Sequence, residues 1–135
     1  SIWFSAVVRG DVNKITIGDR VNIQDGAVIH TLYQRSVTEI GNDVSIGHNA
    51  NVHGAKIEDK CLIGMGATVL DHAVVGTGSI VAANSLVLTG TVIEPGSVYA
   101  GVPARRVKGV TPEQVRDIIE RTARDYMMYA SWYKE

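Results

Sequence analysis

Aliphatic residues recur at a spacing of six along most of this chain, and that period constrains the fold more than any other feature. The series runs Ile17, Ile23, Ile29; Ile40, Ile46, Val52; Ile57, Ile63, Val69; Val75, Val81, Val87; then Ile93. Four residues after most members stands a smaller side chain: Val21, Ala27, Val44, Ala50, Cys61, Ala67, Ala73, Ser79, Ser85, Thr91 and Ser97. Glycine often follows the aliphatic residue directly, as at Gly18, Gly41, Gly47, Gly64 and Gly76. A period of six fits neither a helix at about 3.6 nor an alternating strand at about 2. A coil of three short strands turning tight corners does fit, with the aliphatic residue pointing inward and the smaller one filling the narrow corner.

The pattern predicts an all-β solenoid, a parallel β-helix of hexapeptide repeats over residues 1–110. Residues 111–135 are expected to form one C-terminal helix, packed on the β-helix or on a neighbouring subunit. Thr111, Pro112 and Gln114 supply an N-cap, a proline at the first helical position and a capping-box partner. Val115, Ile118, Ile119, Thr122, Tyr126, Met127, Ala130 and Tyr133 make its apolar stripe. At 135 residues, 45% of them hydrophobic, the chain suits a single core. Its net charge of −1 points neither to nucleic acid nor to an anionic membrane. No apolar run is long enough to span a bilayer, and the expected location is the cytoplasm. The single cysteine, Cys61, stands at an inward corner position and reads as a core thiol.

Register then places the histidines. Three hexads make a coil of about 18 residues, and adjacent coils stack at about 4.8 Å. His30 follows Ile29 and His53 follows Val52, each the third hexad of its coil, so the two imidazoles stand one above the other on neighbouring coils. At that separation both can reach one ion at Zn–N distances of about 2.0–2.1 Å. His48 sits two places after Ile46, in the second hexad, and faces another side of the prism. In a threefold ring one face of a subunit meets a different face of its neighbour, so His48 is expected to complete the site in trans. His72, in VLDHAVV, reads as an exposed corner residue. Residues 31–39 (TLYQRSVTE) interrupt the repeat and are expected to bulge as a loop.

VVRGDVN (Val7–Asn13), IGDRVNIQDGAVIH (Ile17–His30), IGHNANVHG (Ile46–Gly54) and IGMGATVLD (Ile63–Asp71) together resemble a γ-class carbonic anhydrase. The resemblance runs over essentially the whole chain and implies a left-handed β-helix, a homotrimer with interfacial metal sites, and one or two further coils upstream of Ser1. It implies reversible hydration of CO2 to bicarbonate, with His30, His48 and His53 holding zinc and with iron or cobalt as other metals that suit imidazole ligands. It gives Arg9 and Asp11 a pairing across the trimer interface, Arg9 a bicarbonate to hold, and Asn22 and Gln24 hydrogen bonds to the reacting water or bicarbonate. Tyr126 is implied to point towards the site, with simple packing as the other reading.

Two departures from the family pattern bear on turnover. Tyr33 stands where a proton-shuttle glutamate is found, and Val12 replaces a second acidic residue. Tyrosine ordinarily titrates near 10 and is a poor shuttle at neutral pH. Glu39 is the loop's one carboxylate and abuts the next hexad. Two rival readings therefore stand beside the enzyme: a hexapeptide acyltransferase using acyl-CoA, which the GVPARRV ending (Gly101–Val107) resembles, and a metal-binding protein of the same fold with little CO2 hydration.

Overall fold

The computed structural model describes residues 1–134, and in it the hexads wind as a left-handed parallel β-helix with three flat faces. The first face, here the histidine face, stacks Val7–Val8, Val28–His30, Asn51–His53, Thr68–Val69 and Leu86–Val87. A second stacks Ile15–Ile17, Thr38–Ile40, Lys56–Ile57, Val74–Val75 and Val92–Ile93. The third, the helix face, stacks Asn22–Ile23, Ser45–Ile46, Leu62–Ile63, Ile80–Val81 and Ser97–Ala100, and ends on Arg105–Gly109. Pairing is parallel throughout except at that last strand, which folds back antiparallel on Ser97–Ala100.

Because the period is constant, each aliphatic residue lies over its equivalent one coil away. Ile29 pairs with Val52, Val52 with Val69 and Val69 with Val87. Ile23, Ile46, Ile63 and Val81 make the matching column under the helix face. These side chains and the corner residues Ala27, Val44, Ala50, Cys61, Ala67 and Ala73 form one continuous buried core. Cys61 is fully buried, with Sγ 3.2 Å from the Gly76 carbonyl oxygen, and burial pushes its thiol up to about 12. It is an inert core thiol.

Each regular corner turns through a residue of positive φ, three places after the aliphatic one. Arg20, Asp43, Asn49, Lys60, His72 and Asn84 adopt it without being glycine. His72 is thus an exposed corner residue, at φ 64°.

The C-terminal helix runs as Pro112–Gln114, Val115–Glu120 and Arg121–Ser131, and its expected last residue, Glu135, lies outside the described residues. Thr111 Oγ1 accepts from the Gln114 amide at 3.1 Å while Gln114 Oε1 accepts from the Thr111 amide at 3.0 Å, completing the capping box. Loss of one such cap costs about 1 kcal/mol, so Thr111→Ala is expected to lower the melting temperature by roughly 3–4 °C. A drop under about 1 °C in a calorimetric scan would mean that packing alone holds the helix start.

The apolar stripe differs from the sequence expectation. Val115–Glu120 is a π-helical turn, with the Arg121 amide bonded back to the Arg116 carbonyl, so the phase counted at 3.6 slips beyond it. Ile119 and Ala123 are buried, whereas Met127 and Tyr133, expected on the stripe, are 52% and 67% exposed. No helix among the described residues is long and apolar enough to cross a membrane.

Candidate metal centre

His30 and His53 end paired strands of the histidine face and stand in direct register. Their ring centroids are 5.2 Å apart with planes inclined at 70°. His30 Nε2 is the one buried side-chain nitrogen or oxygen among the described residues that has no hydrogen-bond partner. Asp11 Oδ1 lies 3.5 Å from it, outside hydrogen-bond geometry. An orphaned buried polar atom is costly and calls for an explanation.

The other imidazole is anchored from behind. His53 Nδ1 lies 3.0 Å from both carboxylate oxygens of Asp71. A carboxylate only accepts, so His53 donates from Nδ1 and carries its lone pair on Nε2. Asp71 also accepts from Ser36 Oγ at 2.5 Å. Burial pushes the Asp71 carboxyl up, but the Ser36 and His53 hydrogen bonds outweigh it and hold the group below its ordinary value. The hexad count singles out none of Asp71, Ser36 and Thr38, although Asp71 lies 18 residues after His53 and coil arithmetic places it in the neighbouring corner.

The corner beyond these strands is irregular in both coils. Ile40 comes eleven positions after Ile29, and Ile57 only five after Val52, where the regular spacing is six. The extra residues form a loop closed by an antiparallel bridge between Leu32 and Ser36. Strand resumes at Thr38, so the loop is shorter than 31–39. Thr38 is fully buried, donates to the His30 carbonyl at 2.7 Å and accepts from the Gly54 amide at 2.8 Å, which pulls it into the ladder. Tyr33, at the loop tip, is 63% exposed.

A second group gathers under the helix. His48 Nδ1 is 3.3 Å from Asp25 Oδ1. A cavity of about 470 Å³ is lined by Gln24, His48, Met65, Arg121, Asp125 and Tyr126, among others. Gln24 and Asn22 are both buried; Gln24 Nε2 donates to Asn22 Oδ1 at 3.0 Å, and Asn22 Nδ2 donates to Ser45 Oγ at 2.8 Å. Burial, with the Asp25 charge behind it, raises the Tyr126 hydroxyl above its usual range. Tyr126 also packs edge-on against Trp3, at 5.4 Å between centroids.

The chain therefore carries Arg9, Asp11, His30 and His53 in one place and Asn22, Gln24, His48 and Tyr126 in another. Among the described residues no three His, Cys, Asp or Glu side chains converge as a metal-holding group. Arg9 Nη1 lies 2.9 Å from Asp11 Oδ2, both side chains more than half exposed. That pairing is within one chain, with Gly10 alone between the two residues. The Arg9 hydrogen bond holds the Asp11 carboxyl below its ordinary value.

The family model described as bacterial transferase hexapeptide (six repeats) matches residues 37–69 and 54–89. A protein of Methanocaldococcus jannaschii named as a probable carbonic anhydrase is 57% identical over 124 residues, 92% of this chain and 77% of its own length. The mitochondrial γ carbonic anhydrase 1 of Arabidopsis thaliana is 42% identical over 131 residues. The chain belongs to the γ-class carbonic anhydrase family. It spans 93% of itself but only 47% of that plant relative. The crystal structure of a hexapeptide transferase family protein from Anaplasma phagocytophilum superposes with a TM-score of 0.93 at 37% identity, covering 99% of this chain and 78% of the other.

Proposed function

We propose that this γ-class chain assembles as a homotrimer that hydrates CO2 reversibly to bicarbonate, with His30 and His53 of one subunit and His48 of its neighbour holding a metal ion. The observation that carries the reading is the orphaned Nε2 of His30 beside a His53 whose Nδ1 is already committed to Asp71. Two imidazole nitrogens at adjacent positions, one without any partner and one with its lone pair fixed, fit a divalent ion of the zinc, iron or cobalt kind. Three protein ligands leave a fourth position open, as in a catalytic site.

When bound, such an ion supplies activated water by lowering its pKa to about 7, a property for which carbonic anhydrase is the standard illustration. The protein's own residues do the rest. Gln24 is held by Asn22, which is held by Ser45, so its amide is oriented before substrate arrives. Its place in the His48 cavity suits it to orient the reacting oxygen brought by a neighbouring subunit. Arg9, with its fixed charged fork, receives bicarbonate, and Asp11 holds that fork in place. Tyr126 closes the His48 cavity from the helix.

The outward residues of the histidine face support an interface there. Val7, Val28, Asn51, Thr68 and Leu86 carry no charge, whereas the second face turns the charged Glu39 and Lys56 outward beside Thr16, Val74 and Val92. An acyl-CoA transferase, the class that the fold's transferase relatives suggest, gives no reason for the His30 orphan or for the Asp71 lock on His53. A metal-holding protein with slow hydration is the second reading, because the Tyr33 side chain is exposed at the loop tip, where its hydroxyl accepts from Gln34 Nε2 at 3.2 Å. Metal analysis by plasma mass spectrometry with light scattering tests the reading: about one metal per chain in a trimer, lost in His53→Ala, is expected, followed by CO2 hydration above the uncatalysed rate. A metal-free trimer would overturn it.

A further inference from the structure

We propose that Asp71 and Ser36 form a tether through which the loop following His30 sets the metal affinity of His53, so that Asp71 is a positioning residue and Ser36 its link to the loop. The inference rests on the metal reading above and deepens it.

The hydroxyl of Ser36 is the node of the tether. It donates to Asp71 Oδ1 and accepts from the Leu32 amide at 3.1 Å. The Ser36 and Arg35 amides in turn both bond the Leu32 carbonyl at 3.1 Å, which closes the loop on itself. Ser36 is only 4% exposed although the loop tip at Leu32 and Tyr33 is open to solvent. The loop thus reaches inward through one residue, and that residue ends on the carboxylate that grips His53.

Two coils cooperate to make room for this contact. The inserted residues after His30 bring Ser36 over the corner after His53, and that corner is the one shortened by a residue. Its Gly54 sits at φ 63°, and a Cβ there would overlap Ser36 Oγ and Asp71 Oδ1. Thr38 fastens the same place from the other side, bonding the His30 carbonyl and the Gly54 amide. Insertion, deletion and glycine are complementary, as expected of a built contact rather than a chance one.

The consequence is chemical. With Asp71 accepting from Nδ1, neutral His53 is held as the tautomer with its lone pair on Nε2, in a ring whose centroid lies 5.2 Å from that of His30. If the loop opens, Asp71 loses one donor and freedom returns to its side chain. His53 then samples both tautomers and more ring orientations, and only a fraction of them bind metal.

Zinc affinity measured on the assembled full chain by chelator competition, together with imidazole nitrogen chemical shifts of His53, tests this. Asp71→Asn is expected to weaken zinc binding on the order of 10–100-fold and to mix the two His53 tautomers in the metal-free protein. Ser36→Ala is expected to weaken binding less and to speed hydrogen exchange at the Leu32 amide. Unchanged affinity and an unchanged tautomer in Asp71→Asn, with metal still lost in His53→Ala, would overturn the tether and leave the metal reading intact. Full metal retention in His53→Ala would instead overturn the metal reading. If Asp71→Asn does not fold, Ser36→Ala carries the test, and unaltered zinc affinity there overturns the tether.

Discussion

Subunits carrying His48→Ala, refolded together with subunits carrying His30→Ala, are expected to regain metal sites that neither variant holds alone. The expectation follows from the separation of the histidines within one chain. His30 and His53 share a face and stand 5.2 Å apart, whereas His48 turns to the cavity under the helix and is 3.3 Å from Asp25. A site built from one chain's pair and a neighbour's His48 is intact where a His48→Ala subunit supplies the pair and a His30→Ala subunit supplies the third ligand. Random assembly of equal amounts into cyclic trimers makes that arrangement at about one interface in four. Metal analysis of the mixed trimers should therefore recover about a quarter of the wild-type content, and hydration activity should follow in proportion. Each variant refolded alone should recover none. Zero recovery in the mixture, with trimers formed, would place the third ligand elsewhere and remove His48 from the site.

Much of this arrangement is legible before any coordinates, because a constant period converts position in the chain into position in space. Counting sixes from Ile17 identifies the inward residues, and it puts His30 over His53, as the strand register has it. It fails where the period fails. The corner after His30 is long and the next one short, so nothing in the count says that Ser36 meets Asp71 or that Thr38 is already strand. Asp71 is within reach of the count, since one coil of arithmetic leads to it from His53. The helix stripe slipped for a different reason: a π-helical turn is set by packing against the prism and has no signature in a 3.6 count. The closing strand Arg105–Gly109 breaks the repeat's own rule, running antiparallel after a parallel stack, and the period is silent about it.

Glycines in the stacked corners carry the second large effect, and they separate stability from metal binding. A Cβ at Gly64 would lie 2.6 Å from the Ala83 amide nitrogen and 2.7 Å from the Val81 carbonyl oxygen. At Gly47 the same atom would lie 2.7 Å from the Met65 amide nitrogen and 2.8 Å from the Ile63 carbonyl oxygen. These obstacles are the backbone of the next coil, and each glycine amide is itself bonded to that coil, Gly47 to Ile63 at 2.7 Å and Gly64 to Val81 at 2.8 Å. A flexible side chain could yield to an added methyl, but a ladder strand yields only by losing its hydrogen bonds. Overpacking of side chains costs about 1–3 kcal/mol, and a backbone obstacle belongs at the top of that range. Gly64→Ala and Gly47→Ala are each expected to lose about 3 kcal/mol, a fall of roughly 10 °C in melting temperature for a chain of this length. Their effects on metal should diverge. Solenoid coils communicate through nearest neighbours, so the strain at Gly64 falls first on the coil of Ala83 and reaches His48 only at second hand, through the Gly66 amide that bonds the His48 carbonyl at 2.9 Å. Gly47 is bonded directly to His48, and any retreat of its backbone carries that imidazole out of line. Calorimetry and metal analysis on the two variants decide the matter: equal destabilisation with the larger loss of metal in Gly47→Ala is expected. Equal metal retention in both would show that His48 is placed by its own contacts, Asp25 first among them, and not by the fit of its corner against the next coil.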